Sequence, residues 1–349
     1  MFPRNYWYVA AWDHEVRRQE LFRRVICSEP IVFYRREDGS PAALEDRCCH
    51  RHMPLSEGRL RGDTIECAYH GLTYDASGAC IRVPSQASVP PNARVRAYPV
   101  AERHHWIWIW MGDPKLADPD LIEDFHWMED ADWRAKGERL DLAANYRLLI
   151  DNLLDLTHLQ FVHPTTLGTD AITKFPIRTE REGDAVTVTR WIMDSLPPPF
   201  FQKAGGFRPE ERIDRWQIIT YTPPGFVRLD VGGARAGTGA PEGDRSQGFT
   251  MRNLNAITPE TETTTHYFWA QAHDFRTDDA TVTELLFRQI HSAFMEDLAV
   301  LKAQQMNLEA FGGDPPQVDF GQDSGGLQAR RIIDRILEEE RAPVARIRA

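Results

Sequence analysis

Two short segments of the sequence each combine a cysteine with a histidine at metal-ligand spacing. Cys48 and His50 form a C-x-H pair, and after sixteen intervening residues Cys67 and His70 form a C-x-x-H pair. Together the four side chains could hold a tetrahedral zinc ion, or a [2Fe–2S] cluster with two cysteines on one iron and two histidines on the other. Zinc fingers usually take like ligands from one segment. The mixed pairs therefore favour the iron–sulfur cluster.

The first pair lies in the crowded segment DRCCHRH, which also contains Cys49 and His52. Neither residue completes the C-x-H pattern. We interpret Cys49 as a packed neighbour of the ligand and His52 as an outer neighbour or surface residue. The five cysteines of the chain are too few and too unevenly spaced for a disulfide framework.

A second group of polar residues lies in the apolar segment YRLLIDNLLDLTHLQFVHPTT. Asn152, Asp155 and His158 follow one another at steps of three along one flank of a predicted helix. His158 and His163 are about 140° apart round an ideal helix, so they converge only if the helix distorts or ends between them. We expect Pro164 to end it, because the residue before a proline avoids the α conformation.

A carboxylate on a distant helix could complete this second set. In the segment ELLFRQIHSAFMEDLAVLKAQQ, Asp297 falls within the apolar stripe and Glu296 lies off it. A buried acid is costly unless it is paired or binds a metal. A pair with a lysine or arginine is the plain alternative. With His158 and His163, Asp297 would form the two-histidine, one-carboxylate set of non-haem iron oxygenases.

The elements that must position these residues fall into two groups. Residues 6–113 show short β-rich runs separated by turns, and then the stretch MGDPKLADPD has the composition of a linker. Helical stretches at about 145–162 and 279–311, with β-rich runs between them, follow. We predict an α+β fold in two domains, 1–115 and 116–349.

Composition narrows the class of protein. A formal net charge of -11 disfavours a nucleic acid as the main partner. No G-x-G-x-x-G motif follows a strand and opens a helix, so the sequence has no dinucleotide-binding fingerprint. Since no run approaches the ~20 apolar residues of a membrane span, and the N-terminus has no signal-peptide pattern, we expect a cytoplasmic protein without a membrane contact.

Both metal motifs, in this order, resemble the oxygenase component of the Rieske non-haem iron oxygenases. The segments NYWYVA, IDNLLDLTH, ITPETETTTHYFWA and SGGLQARR are most similar to aryl O-demethylases of the vanillate and dicamba type. The resemblance implies an N-terminal all-β Rieske domain, then a helix-grip catalytic domain with an antiparallel sheet and helices. It also implies a homotrimer, and a separate flavin and iron–sulfur reductase that uses NAD(P)H.

The resemblance also implies roles for single residues. Cys48, His50, Cys67 and His70 would bind the cluster. The resemblance also implies that His158, His163 and Asp297 bind a mononuclear iron.

Three further residues take implied roles. Asp155 matches a carboxylate that carries electrons to the iron from the cluster of a neighbouring subunit, by a hydrogen bond to that subunit's counterpart of His70. Asn152 matches a residue near the iron with an indirect role. His266 stands where a dicamba-type demethylase is expected to contact its substrate, although a core histidine would fit that strand equally well. Vanillate-type demethylases differ at this position.

The reaction implied is the use of O2, two electrons and two protons to hydroxylate an aromatic substrate. On a methoxybenzoate such as vanillate, the product would collapse to a phenol and formaldehyde. Aryl-methyl hydroxylation and angular dioxygenation of a diaryl ether such as phenoxybenzoate stay open as alternatives. So does an electron carrier without catalysis. Four aromatic residues could line a substrate pocket or simply pack the core: Trp191, Phe200, Phe201 and Trp269.

Overall fold

The computed structural model of the protein describes residues 1–163, 174–313 and 315–342. The chain forms two compact units: Met1–Asp124 with Thr258–Glu262, and Phe125–Ile257 with Thr263–Ala349. The predicted domain boundary between residues 115 and 116 falls inside one 3-10 turn, Pro114–Leu116. No pattern in the sequence indicates that the short segment Thr258–Glu262 belongs to the first unit.

The first unit is built from short β-strands. They are β1 (Trp7–Trp12), β2 (Phe22–Ile26), β3 (Glu29–Arg35), β4 (Pro41–Glu45), β5 (Arg59–Arg61), β6 (Thr64–Glu66), β7 (Thr73–Tyr74), β8 (Cys80–Arg82), β9 (Ala97–Tyr98), β10 (Val100–Arg103) and β11 (Trp106–Trp110). Three sheets result, with strand orders β1-β11-β10, β2-β3-β4-β9 and β5-β6-β7-β8. Every residue of β11 is buried, as expected of a strand that is apolar on both faces.

The second unit contains a seven-stranded antiparallel sheet with the order β12-β18-β17-β16-β15-β14-β13. Its strands are β12 (Arg134–Leu142), β13 (Arg178–Glu182), β14 (Ala185–Ser195), β15 (Ile213–Thr222), β16 (Phe226–Arg235), β17 (Gly248–Pro259) and β18 (Thr265–His273). Burial alternates along β14, because successive side chains point to opposite faces. All nine residues of β18 are buried, since both faces of this strand are covered.

Five helices accompany this sheet among the described residues. They are α1 (Tyr146–Leu154), α2 (Leu159–Val162), α3 (Pro199–Gly205), α4 (Ala280–Ala310) and α5 (Ser324–Arg341). Helix α4 begins at Asp279, whose side chain caps the first turn by accepting a hydrogen bond from the Thr281 amide at 3.0 Å. None of the described helices is long and apolar enough to cross a membrane.

The helix predicted over residues 145–162 is interrupted between α1 and α2. Asp155 has an extended backbone (φ -93°, ψ 108°), and its Oδ1 accepts hydrogen bonds from the amide and hydroxyl of Thr157 at 2.6 and 2.5 Å. Such a local bond offers the backbone an alternative to the helix. The break therefore comes before His158, earlier than the expected end at Pro164, which itself lies outside the described residues.

Two candidate metal centres

The first centre is formed by two tight turns of the first unit. The turn after β4 closes by a hydrogen bond from the His52 amide to the Cys48 carbonyl at 3.0 Å. The turn between β6 and β7 closes in the same way, from the Gly71 amide to the Cys67 carbonyl at 3.0 Å. Gly71 has φ +72°, a left-handed conformation that favours glycine. Each of the two turns therefore carries one cysteine and one histidine of the four predicted ligands.

Burial separates the four side chains by chemical type. The thiols of Cys48 and Cys67 are buried, whereas His50 and His70 are exposed, with their ring centroids 4.6 Å apart. Burial, together with the neighbouring Cys48, raises the pKa of the Cys67 thiol. A cationic metal would relieve this cost by stabilising the thiolates. A buried pair of sulfurs below an outer pair of imidazoles fits a cluster with one all-cysteine and one all-histidine iron.

Tyr74 contacts the buried side of this centre. Its hydroxyl lies 3.1 Å from Sγ of Cys48 and 3.1 Å from Sγ of Cys49, and it accepts a hydrogen bond from the Cys49 amide at 3.2 Å. Cys49 is half-buried and packs beside the ligand, whereas His52 is exposed. The tyrosine on β7 was not identified from the sequence, because no spacing rule connects it with the ligand turns.

The second centre brings together the three residues of the predicted iron set. The ligand atoms of His158, His163 and Asp297 all lie within 4.8 Å of one another. Oδ1 of Asp297 is 3.2 Å from Nε2 of His163 and 3.5 Å from Nε2 of His158. His158 precedes α2 and His163 follows it, so the short helix turns both rings towards α4. Two imidazoles and one carboxylate are a donor set that fits ferrous iron with open positions.

Two neighbouring side chains hold these candidate ligands. Asn152 Nδ2 donates to Oδ1 of Asp297 at 3.0 Å. Nδ1 of His163 lies 2.6 Å from Oε2 of Glu296, so the imidazole turns its other nitrogen to Asp297. Burial lowers the pKa of His163, but the hydrogen bonds with Asp297 and Glu296 outweigh it and raise the pKa above its usual value. Glu296 was set aside in the sequence because it lies off the apolar stripe.

Asp155 lies at the edge of this centre. Its Oδ2 is 3.7 Å from Nδ1 of His158, and that nitrogen is buried without a hydrogen-bond partner among the described residues. Burial raises the pKa of Asp155, but the contact with His158 and the two bonds from Thr157 outweigh it, so the pKa falls below its usual value. The side chain is 29% exposed, which leaves the carboxylate accessible from outside.

A cavity adjoins the second centre in the same unit. His158, His163 and Asp297 lie in its wall, and the remaining lining is mostly apolar. Of the four aromatic residues considered for a substrate pocket, Phe200 and Phe201 line it. Polar lining comes from the sheet and includes Arg215, Gln217, Asn253 and Gln271. None of these four was singled out in the sequence.

His266 does not line this cavity. Along β18, Tyr267 and Trp269 alternate with it, and both pack against Phe294 of α4 at ring-centroid distances of 5.1 and 5.0 Å. Since successive strand residues point to opposite faces, His266 lies on the face away from α4. Its Nδ1 is 3.6 Å from Oδ1 of Asp141 on β12. The predicted substrate contact of His266 has no support in this arrangement.

Comparisons with known proteins assign a family domain to each half of the chain. Residues 6–99 match the Rieske [2Fe-2S] domain, and residues 142–339 match the vanillate O-demethylase oxygenase C-terminal domain. The second match alone covers more than half of the chain. The first match contains the four candidate cluster ligands, and the second contains the three candidate iron ligands.

Full-length relatives give the same result. The chain is 43% identical to the toluene-4-sulfonate monooxygenase system iron-sulfur subunit of Comamonas testosteroni over 349 residues, covering 99% of this chain and 100% of the relative. It is 40% identical to the vanillate O-demethylase oxygenase subunit of a Pseudomonas species over 352 residues, 99% of each. The crystal structure of dicamba monooxygenase bound to dicamba superposes with a TM-score of 0.87 at 33% identity, covering 98% of this chain and 99% of that one.

These likenesses confirm the predicted family, fold class, enzyme class and cofactors. The α+β fold has the predicted order, with the all-β Rieske domain first and the sheet-and-helix domain second. The chain belongs to the Rieske non-haem iron oxygenases, as the oxygenase component that carries a [2Fe–2S] cluster and a non-haem iron and works with a separate reductase on an aromatic substrate.

Proposed function

We propose that this oxygenase component removes the methyl group of a methoxybenzoate, releasing a phenol and formaldehyde. The observation that carries the proposal is a cavity whose wall contains His158, His163 and Asp297 and is otherwise mostly apolar. Such a lining suits a flat aromatic ring, since most of the ligand surface would leave water on binding. Thirteen apolar residues contribute: Leu153, Leu156, Leu159, Pro198, Phe200, Phe201, Ile219, Leu229, Val231, Met251, Ile290, Ala293 and Phe294.

The ligand assignments belong to this proposal. Cys48, His50, Cys67 and His70 would hold the cluster, because two buried thiols can ligate one of its irons and two exposed imidazoles the other. The mononuclear iron would take His158, His163 and Asp297, which the fold brings within metal-binding distance of one another.

Bound iron supplies the activation of O2 for insertion into a C–H bond of the substrate. The chain's own residues do the rest. Asn152 and Glu296 orient the ligand side chains by hydrogen bonds, as outer partners of metal ligands usually do. The apolar wall keeps water from the reacting carbon and holds the ring in place. Hydroxylation of a methoxy carbon gives a hemiacetal, which breaks into phenol and formaldehyde without further help.

Electron delivery is the second part of the proposal. Asp155 would carry electrons from the cluster of a neighbouring subunit, through a hydrogen bond to that subunit's counterpart of His70. Support comes from its partial exposure and from its place in the wall of both the substrate cavity and a second, more polar cavity. The homotrimer, the flavin and iron–sulfur type of reductase with NAD(P)H, and the cytoplasmic location stay predictions.

Methyl hydroxylation is a second candidate, favoured by one specific observation. The relative with 43% identity is named for the oxidation of toluene-4-sulfonate, which has an aryl methyl group and no ether. The same cavity could hold either substrate, because both join a flat ring to an acidic group. Angular dioxygenation of a diaryl ether has no such support, and a carrier without catalysis is disfavoured by the match of the catalytic domain.

The experiment is an aerobic assay of the iron-loaded protein with a surrogate reductase. We expect formaldehyde from one or more methoxybenzoates in amounts equal to the phenol formed. Oxidation of toluene-4-sulfonate to the benzyl alcohol, with no formaldehyde from any methoxybenzoate, would establish the second candidate instead. Turnover of a phenoxybenzoate alone would overturn both.

Iron analysis supplies the control. The intact protein should bind about three irons per chain, two in the cluster and one at the second centre. Asp297→Ala should keep the cluster's visible spectrum and bind about two. Two irons in the unaltered protein, with no loss on Asp297→Ala, would contradict the assignment of the second centre.

A further inference from the structure

Arg215 is a charged side chain inside the substrate cavity. It lies on β15 of the second unit, where Arg215, Gln217 and Ile219 alternate along the strand and all line the cavity. Only 4% of Arg215 is exposed. The same wall includes the candidate iron ligands. A buried guanidinium and the candidate metal centre therefore line the same cavity.

Two nitrogens of the Arg215 guanidinium have no hydrogen-bond partner within residues 1–163, 174–313 and 315–342. Nε and Nη1 are both buried and unpaired, and no ion pair of Arg215 occurs in the part of the chain that the structure describes. One face of the group lies over the ring of Phe201, 4.6 Å from its centroid. A ring can cover the face of a guanidinium, but it does not satisfy the donors at its edge.

The arrangement around Phe201 depends on a glycine. Gly233 on β16 pairs directly with Arg215 across the sheet. A Cβ at position 233 would come within 3.0 and 3.1 Å of two carbons of the Phe201 ring. Glycine thus lets the ring pack against the strand beneath the guanidinium.

Two other arginines of the second unit show how unusual the arrangement is. Buried Arg190 on β14 donates from Nη1 to the Leu156 carbonyl at 2.9 Å. Arg245 lies over the ring of Trp216 at 4.3 Å, as Arg215 does over Phe201, but it also donates to Oδ2 of Asp230 at 2.7 Å. Arg215 alone of these three has the aromatic neighbour without a carboxylate or carbonyl to accept from its edge.

An uncompensated buried charge needs an explanation. Burial lowers the pKa of Arg215 to about 10, so the side chain is still a cation at neutral pH. Burying such a cation without a partner is costly, and a ligand that brings an anion into the cavity would remove that cost. The planar fork of donors matches a carboxylate or a sulfonate, which can accept two parallel hydrogen bonds.

We propose that Arg215 binds the acidic group of the substrate and so selects aromatic acids over neutral aromatics. This inference rests on the proposed function, in that the cavity is taken to hold the substrate. It makes Arg215 a specificity-determining residue, whereas the apolar wall would accept any ring of suitable size. Both a benzoate and an arenesulfonate carry the required anion, and their relative affinities will show which one the site prefers.

The test is direct binding under anaerobic conditions, which needs no turnover. The iron-loaded protein is titrated calorimetrically with 4-methoxybenzoate, toluene-4-sulfonate and the neutral 4-methoxyacetophenone. We expect at least one acid to bind more tightly than the ketone. In Arg215→Met the dissociation constant of that acid should rise about 30-fold or more, with that of the ketone little changed. Arg215→Lys should fall between the two.

Two controls separate a binding role from a structural one. Arg245→Met removes an arginine that stacks on an aromatic ring outside the cavity, and it should leave acid binding unchanged. Arg215→Met should be at least as resistant to thermal unfolding as the unaltered protein, because it removes a buried unpaired charge. If that variant fails to fold, Arg215→Lys and the comparison of acid with ketone still decide the point.

Specific results would overturn the inference. One is equal affinity of the unaltered protein for the acids and the ketone. The other is unchanged acid binding by folded, metal-loaded Arg215→Met. Failure of the proposed demethylation is distinguishable, because acids would then bind through Arg215 while no formaldehyde is formed.

Discussion

Asn152 donates a hydrogen bond to the same oxygen of Asp297 that approaches both histidines of the second centre. The Nδ2 to Oδ1 distance is 3.0 Å, and it connects α1 with the middle of α4. With one oxygen engaged by an amide, the carboxylate has a fixed orientation before any metal arrives. The indirect role expected for Asn152 is therefore to orient the carboxylate of Asp297 by this hydrogen bond.

We expect Asn152→Ala to weaken iron binding at the second centre about 10- to 100-fold, as is usual on loss of an outer partner of a metal ligand. Iron retained after timed exposure to a ferrous chelator measures the effect, and the cluster's visible spectrum should be unchanged. Asn307→Ala, an exposed position on the same α4, is the matched control. Equal iron retention in both variants would contradict this role of the hydrogen bond.

Glu296 should affect iron binding by orienting the imidazole of His163. In Glu296→Ala, Nδ1 of His163 loses its partner at 2.6 Å, so nothing fixes which ring nitrogen faces Asp297. Iron affinity should fall by about 10- to 100-fold. Glu296→Gln retains an acceptor and should lose less. If the two variants hold iron equally well, the carboxylate does not act by orienting the imidazole.

The sequence was informative where a residue's chemistry depends on its near neighbours. The C-x-H and C-x-x-H turns need only a few residues each, and Asp297 stood out because an acid in an apolar stripe is costly. Long-range pairs gave no such signal. Glu296 lies off the apolar stripe of α4, and its contact with His163 arises from tertiary packing across 133 positions of the chain.

The alternation of side chains along β18 explains why His266 does not line the cavity. Because every residue of β18 is buried, the polarity of the sequence does not reveal which face meets α4 and the cavity. Packing of Tyr267 and Trp269 on α4 settles it in favour of the odd-numbered face, which carries Gln271 into the cavity wall.

A pH-dependent change in stability is expected from Arg330→Met. Nε of Arg330 on α5 donates to both carboxylate oxygens of Asp151 on α1, at 2.8 and 3.0 Å. Burial raises the pKa of Asp151 above its usual value even with this partner. Loss of the partner should cost about 2 kcal/mol, between the values for exposed and buried pairs.

The sign follows from the protonation of Asp151. Its raised folded-state pKa means that protonation favours the folded protein, and removal of Arg330 raises that pKa further. Destabilisation by Arg330→Met should therefore be small at low pH, where the carboxyl is neutral, and grow as pH rises through the folded-state pKa. Urea unfolding at several pH values measures it. The double variant with Asp151→Asn should lose the pH dependence, and its persistence would assign the effect elsewhere.

Tyr74→Phe should lower the reduction potential of the cluster. The Tyr74 hydroxyl is 3.1 Å from Sγ of Cys48, and a donor to a ligand sulfur stabilises the more negative, reduced state. A bond worth about 1 kcal/mol corresponds to a shift of about 40 mV in a one-electron couple. Spectroelectrochemical titration measures it. Tyr69→Phe, at an exposed ring tilted by 34° against that of His70, is the control. An unchanged potential with a fully loaded cluster would contradict the assignment.

Asp155→Asn tests the path of the electrons. Asparagine preserves the size of the side chain and an oxygen for the bonds from Thr157, so the break between α1 and α2 should persist. Removal of the charge beside His158 takes away the carboxylate that would accept a hydrogen bond from a neighbouring subunit's cluster ligand. Both metal sites should remain filled while steady-state turnover collapses.

Two measurements make the Asp155 result interpretable. Iron content and the cluster's spectrum must match those of the unaltered protein, since a lost metal would also stop turnover. Stopped-flow oxidation of the reduced cluster by O2 with substrate present should then be slow in Asp155→Asn and fast in the unaltered protein, because only the transfer step is blocked. Rapid cluster oxidation in the variant, with normal product formation, would show that electrons reach the iron without this carboxylate and would refute the proposed route between subunits.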